Sequence, residues 1–208
     1  MDQNSKFKLF ASEGLEIQLF LSYQKIENFI EEFSDEEILS HEKNIDALAI
    51  NLIEKYSPSD IEISFERDQI QIDTIYDKKL ISNGFNEISI NTLYIKYSFP
   101  ITSGKELLTY DIENYSNRSI HTVEIEGDKL VYLYDTGLQK VEFSESENKV
   151  INEAILSIAR DIKNQCDECS YIIKELNKKQ INKTQQLLHS KLKNAKQNKL
   201  NTDKFNPF

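Results

Sequence analysis

Residues 86–135 read NEISINTLYIKYSFPITSGKELLTYDIENYSNRSIHTVEIEGDKLVYLYD. β-Branched and aromatic residues crowd both ends of this stretch, and Gly127-Asp128 separates two apolar alternations. Runs of that kind bounded by turn residues predict consecutive β-strands at 88–99, a short 106–112, then 121–126 turning into 129–134. The apolar face of the first run starts at Ile88 and Ile90 and shifts to Leu93, Ile95, Tyr97 and Phe99, which predicts a bulge or bend near Thr92. Pro100 lacks a backbone donor and is expected to end that strand. Val123 and Ile125 are expected to face Val131 and Leu133 across the turn, with Tyr132 and Tyr134 on the opposite face.

Upstream, residues 1–14 hold no periodic pattern and are expected to form a disordered lead. From Leu15 the apolar set reaches Tyr23, Ile26, Phe29, Ile30 and Phe33, which is one face of a helix. Ser34 and Glu37 stand in capping-box register for a fresh helix start. A clearer helix follows at 45–56, with Ile45, Leu48, Ala49, Leu52, Ile53 and Tyr56 on one face and Pro58 as its stop. Residues 60–76 switch to period two, with Ile61, Ile63 and Phe65, then Ile70 and Ile72, and predict a β-hairpin turning at 66–68. Asn83-Gly84 is a turn or loop signal.

Downstream, Ile151, Ile155, Ile158, Ile162, Gln165, Cys169, Ile172 and Leu176 step alternately by four and three, a heptad seam with one polar position. It weakens at 177–179 and resumes at Ile181, Leu187-Leu188, Leu192, Ala195 and Leu200. The pattern suits one long helix or a helical hairpin. The expected organisation is therefore α+β: helices within 15–56 and an antiparallel β-meander within 60–135 form a core spanning 15–148. A helical arm at 149–200 packs on that core, and a tail closes the chain at 201–208.

Apolar residues are 39% of the 208-residue chain, enough for a core but below the usual globular share. Nothing approaches the roughly 18 apolar residues of a membrane span. The N-terminus lacks a basic region followed by an apolar one, so neither a secretory signal nor a membrane segment is expected, and the expected location is cytoplasmic. The net charge of −10 is unevenly spread: residues 171–204 hold nine lysines against two acids, +7, and the rest hold sixteen basic against thirty-three acidic residues, −17. Such a split suggests an acidic body with a basic tail.

Chemistry-bearing motifs are few. Cys166 and Cys169 form a lone C-x-x-C inside the heptad pattern, whereas a redox pair belongs at a helix start after a strand. Zinc would need two further ligands, and His41, His121 and His189 are scattered. Two reduced cysteines packed as small hydrophobes is the ordinary reading. Asp73, Asp77 and Lys79 give the minimal grammar of a metal-dependent nuclease, since acids can hold magnesium and a lysine can activate water. Chance supplies such spacing readily in a chain with 29% charged residues. With only five glycines, none falls in a phosphate-loop context, and a nucleophile elbow is absent too. No catalytic residue, metal or cofactor is expected. Lys174, Lys178, Lys179, Lys183, Lys191, Lys193 and Lys196 could follow a phosphate backbone. They lie without arginine and almost without aromatics for base stacking. The ordinary reading is the solvated face of a coiled-coil helix, followed by docking of this basic arm on an acidic partner or on the acidic body of another copy, with nucleic acid the less favoured.

Several short stretches resemble the N-terminal region of a family of uncharacterised prokaryotic, defence-associated proteins, many of which continue into a restriction-endonuclease-like (PD-D/E-x-K) domain. They are Asn44-Ile45-Asp46-Ala47-Leu48 opening a helix that ends in Glu54-Lys55-Tyr56, then Asp60-Ile61-Glu62-Ile63, and Tyr97-Ser98-Phe99-Pro100 leading to Gly104-Lys105-Glu106-Leu107-Leu108. Val123-Glu124-Ile125-Glu126-Gly127-Asp128-Lys129-Leu130-Val131 and the long helix with Asn177 complete the set. In that family the chemistry belongs to the downstream domain, which is not expected here, so the resemblance implies no catalytic residue. It implies a non-enzymatic partner of a separately encoded effector. The sequence thus favours an interaction or assembly subunit of a prokaryotic anti-phage defence system. Self-association or effector docking would run through the seam from Ile151 to Leu176, with Gln165 fixing its register. The alternatives are a nucleic-acid-binding accessory subunit using the lysine arm and a small metal-dependent nuclease.

Overall fold

The computed structural model describes residues 7–8, 14–82, 87–109, 121–139 and 142–205. It is an α+β protein with N-terminal helices, an antiparallel curled sheet and a long C-terminal helix. The elements are β1 (Phe7–Lys8), α1 (Leu15–Glu31), α2 (Asp35–Ser40), α3 (Ile45–Tyr56), β2 (Glu62–Ile63), β3 (Gln71–Ser82), β4 (Glu87–Ser103), β5 (Thr122–Glu126), β6 (Lys129–Asp135) and α4 (Glu145–Phe205). Two compact units divide the chain: residues 1–13 with 60–169, and residues 14–59 with 170–208. The expected core of 15–148 is corrected accordingly. The N-terminal helices form their compact unit with the second part of α4, and the sheet forms its own with the first part.

In the sheet unit, the 17-residue β4 is the common partner. One edge pairs with β6 from Tyr94↔Asp135 to Pro100↔Lys129. The other edge pairs with β3 from Gln71↔Ser98 to Ser82↔Glu87, and then with β2 at Ile101 and Ser103. β6 carries β5 on its far side, and β5 carries β1 through Phe7↔Val123 and Lys8↔Thr122. Residues 7–8, expected in a disordered lead, are therefore a strand; residues 1–6 and 9–13 lie outside the described residues.

Several strand expectations need correction. Val123 and Ile125 do not face Val131 and Leu133: β5 pairs with β6 one residue out of that register, as Glu124↔Val131 and Ile125↔Leu130. This puts Val123 and Ile125 on the face of Leu130 and Tyr132, because a one-residue slip exchanges the two faces of a strand. The hairpin at 60–76 does not form, because β2 and β3 both pair with β4 along one edge instead of with each other. No bulge occurs near Thr92: the β3–β4 register is uniform, and the irregularity falls between Glu62 and Ile63. The change of apolar face marks instead the point where β6 stops, at Tyr94. Pro100 does not end β4, since its carbonyl accepts from Ser64 N–H at 2.8 Å and the next N–H, from Ile101, reaches Asp128 O at 2.8 Å. No bond at that position requires the missing proline donor.

The expected strand at 106–112 is a 3-10 turn over Lys105–Thr109, as far as the described residues go. Leu107 and Leu108 are both fully buried, and two consecutive buried side chains do not suit the alternating faces of a half-exposed strand. Gly104 reverses the chain with φ 70°, a conformation that other residues adopt only at a cost. Leu93, Phe99, Val123, Leu130, Val131, Ile155, Ile162, Cys166 and Cys169 are among the buried residues of this unit.

α4 is one helix of 61 residues, not a hairpin. It begins before residue 149 because Ser144 and Glu147 make a capping box: Glu147 N–H donates to Ser144 Oγ at 3.3 Å and Ser144 N–H to Glu147 Oε2 at 2.8 Å. It runs on to Phe205 through most of the expected tail.

In the helical unit, Ser34 caps α2 with the box read from sequence. Ile26 and Ile30 of α1, Ile38 of α2, and Ile45, Ala49, Leu52 and Ile53 of α3 form a core with Leu188, Leu192 and Ala195 of α4. Full burial of one such leucine contributes about 1.5–3 kcal/mol. Above this core Asn177 Oδ1 accepts from Tyr23 Oη at 2.8 Å and from Ser57 Oγ at 2.9 Å.

Candidate interaction surfaces

Of the seam residues, Ile151, Ile155, Ile162, Gln165 and Cys169 are buried, and Ile158, Ile172 and Leu176 are half-buried. A single chain already covers most of the seam. The buried stripe also drifts off the heptad, running Ile162, Cys166, Cys169, Ile173, Gln180, Thr184, Leu188, Leu192 and Ala195. A helix with about 3.6 residues per turn slips about 20° per heptad against a strict seven-residue repeat. Cys166 and Cys169 lie mid-helix; burial pushes both thiols up, Cys169 to about 12, away from the thiolate that redox or metal chemistry needs.

The lysines of the C-terminal part all belong to α4. Lys178 pairs with Glu175 at 2.6 Å, Lys196 with Glu42 at 2.5 Å, and Lys191 donates to the carbonyl of Glu31. Lys174, Lys179, Lys183 and Lys193 are exposed. Part of the basic charge is thus drawn onto acceptors of its own unit.

On β3, Asp73, Asp77 and Lys79 are exposed at alternate positions and so share one face of the strand. Lys79 ion-pairs with Asp135 of β6, and that hydrogen bond pushes its pKa further up. The shift runs opposite to what a proton-abstracting amine requires. Asp77 Oδ1 accepts from the adjacent Lys78 N–H at 2.7 Å. Among the described residues no group of three histidine, cysteine or acidic side chains is placed to hold a metal ion. The same sheet face holds the Lys96–Glu126 ion pair at 2.6 Å and a shallow pocket of about 390 Å³ lined by Ile75, Tyr94, Thr122, Val131 and Leu133.

What sequence reading caught only in part is β3: the expected strand stops at 76, whereas β3 runs to Ser82, and its exposure was not foreseen. Every residue from Gln71 to Leu80 is exposed, and among the described residues β3 pairs with β4 alone. Ile72 (59% exposed), Tyr76 (46%) and Leu80 (67%) stand on one face of it. The helical unit has its own apolar stripe, Ile17, Phe20 and Leu21 on α1, exposed at the i, i+3, i+4 spacing of one helix face. Phe20 borders a groove of about 300 Å³ between α1 and α4, with Leu19, Tyr23, Leu176 and Gln180. The signal for the α1 stripe was available: apolar residues at one-face helical spacing beside a face already assigned to the core. On β3 both faces meet solvent, and Ile72 and Tyr76 stand opposite Tyr97 and Leu93 of β4.

No protein-family model, curated protein or solved structure matches this chain. Among the described residues no helix is long and apolar enough to cross a membrane.

Proposed function

We propose that this chain is a non-catalytic interaction module, acting in the cytoplasm of a prokaryote beside a separately encoded effector, in keeping with the defence-associated family it resembles. The observation that carries the reading is that each compact unit leaves an ordered apolar stripe uncovered: Ile72, Tyr76 and Leu80 on β3, and Ile17, Phe20 and Leu21 on α1. Exposed apolar side chains aligned along one face of a regular element suit protein–protein contact, with Thr74 and Lys78 interleaved among those of β3. The stripes replace the heptad seam as the docking surface, because the seam is largely covered within the chain.

The test is co-expression with the products of adjacent open reading frames, followed by tandem purification and sedimentation. A stoichiometric complex weakened at least tenfold by Phe20→Glu or Leu80→Glu is the expected result. Magnesium-dependent turnover by the purified chain, abolished by Asp77→Ala, would overturn the reading.

A further inference from the structure

We infer that β3 pairs antiparallel with β3 of a second copy, joining two sheets across a two-fold axis centred on Tyr76. This deepens the proposed function and rests on it: it names one partner, a second copy of this chain, and the strand that meets it.

An open sheet edge presents a row of backbone donors and acceptors that another strand can complete. β3 offers twelve residues of such edge, and most edges of that length are shortened, bulged or covered. Here the register with β4 is uniform and the side chains from Gln71 to Leu80 are exposed.

A continuous sheet across a two-fold axis places the same face up in both copies, so the strand must pair about one of its own residues. Few centres are possible, and charge discriminates among them. Centring on Ile75 sets Asp73 against Asp77. Centring on Asp77 or on Lys78 opposes that residue to its own copy. Like charges directly opposite are destabilising. Centring on Tyr76 sets Asp73 against Lys79 and Ile72 against Leu80, each pair occurring twice, with Tyr76 against Tyr76. Centring on Thr74 also avoids like charges but provides no ion pair. The Tyr76 register alone joins opposite charges, apolar pairs and an aromatic pair, the kinds of cross-strand contact that stabilise sheets. Lys79 already leans on Asp135, and Asp73 of the second copy would add a further carboxylate to the same ammonium.

Opposed residues of an antiparallel pair have Cα atoms about 4.5–5.5 Å apart, inside the range a disulfide spans. Tyr76→Cys is therefore expected to oxidise to a covalent dimer of the full-length chain. Ile75→Cys and Leu156→Cys, both at exposed sites, are expected to remain single chains on a non-reducing gel. The native cysteines are buried and do not compete. Light scattering of the unmodified chain is expected to show a dimer, and Asp73→Lys, which opposes Lys79, to raise its dissociation constant at least tenfold. A monomer at every concentration up to 100 μM, on the order of a weak-interface limit, would overturn the inference. So would a dimer that Leu156→Cys cross-links and Tyr76→Cys does not. Either result leaves the effector-binding reading to its own co-purification test, and a failed co-purification leaves the dimer to this one.

Discussion

Asn177 on α4 accepts a 2.8 Å hydrogen bond from the hydroxyl of Tyr23, 154 positions earlier in the chain. The same oxygen takes the Ser57 hydroxyl at 2.9 Å, so one amide ties α1 and the end of α3 to α4. Burial pushes the Tyr23 phenol up to about 12, keeping it a donor throughout the ordinary range. Asn177→Leu leaves both hydroxyls without their acceptor and is expected to cost about 1–3 kcal/mol. Tyr23→Phe is expected to cost about 1 kcal/mol. Urea unfolding followed by helical circular dichroism measures both, and the double variant should show non-additivity.

Gly104 and Gly127 both have positive φ, yet they should respond differently. A Cβ on Gly104 would lie 2.6 Å from Asp60 O and 2.8 Å from Ile61 Cα, whereas nothing lies within 4 Å of one on Gly127. Gly104→Ala therefore adds a backbone clash to conformational strain and is expected to cost about 2–4 kcal/mol. Gly127→Ala is expected to cost about 1–2 kcal/mol from strain alone. Equal losses in thermal unfolding would contradict the packing of Gly104 against Asp60.

His121 is buried, and burial lowers its pKa below the usual 6.5 against the opposing pull of Asp161. The unfolded chain thus binds a proton at a higher pH than the folded one. The stabilisation is fully present above pH 6.5 and is lost as the pH falls from there through the lowered folded value. Midpoint denaturant concentrations measured between pH 8 and pH 5 should fall, and His121→Leu should flatten that slope.

Cys166 and Cys169 are buried with raised thiol pKa values, so the folded protein should resist iodoacetamide at pH 8. Both should alkylate in 6 M guanidinium, with mass spectrometry as the readout. Rapid modification of the native chain would show that the first part of α4 opens readily.

How legible the fold was depends on what surrounds each element. α3 lay open in the sequence because one face of it enters a core, so Ile45, Ala49, Leu52 and Ile53 recur at helical spacing. The β5–β6 turn at Gly127-Asp128 and the Ser34 cap were equally plain, since each depends on local chemistry. β3 was hard to see because both of its faces meet solvent. Nothing enforces alternation there, so the strand is read from sequence only as far as residue 76. Asp73, Asp77 and Lys79 stand out as a charged pattern and not as part of a strand running to Ser82. The pairing of β2 with β4 was hidden because two residues carry too little pattern. In α4, Gln180 and Thr184 lie in the buried stripe, and a count of apolar residues passes over them. The Ser144 capping box was legible and was missed. The docking stripe on α1 follows from the same reasoning: an apolar residue away from the core becomes informative only once the core-facing side is known.

β4 carries partners separated from it by very different lengths of chain. β3 joins it through a short connection, while β2 and β6 must close much longer loops before their bonds form. Loop closure costs more entropy as the loop lengthens, and non-local pairing is slow. During synthesis the β3–β4 ribbon can therefore zip up while β6 is still inside the ribosome. For that interval a nascent chain exposes a second naked strand edge, which a neighbouring nascent chain could capture before its own C-terminal residues arrive.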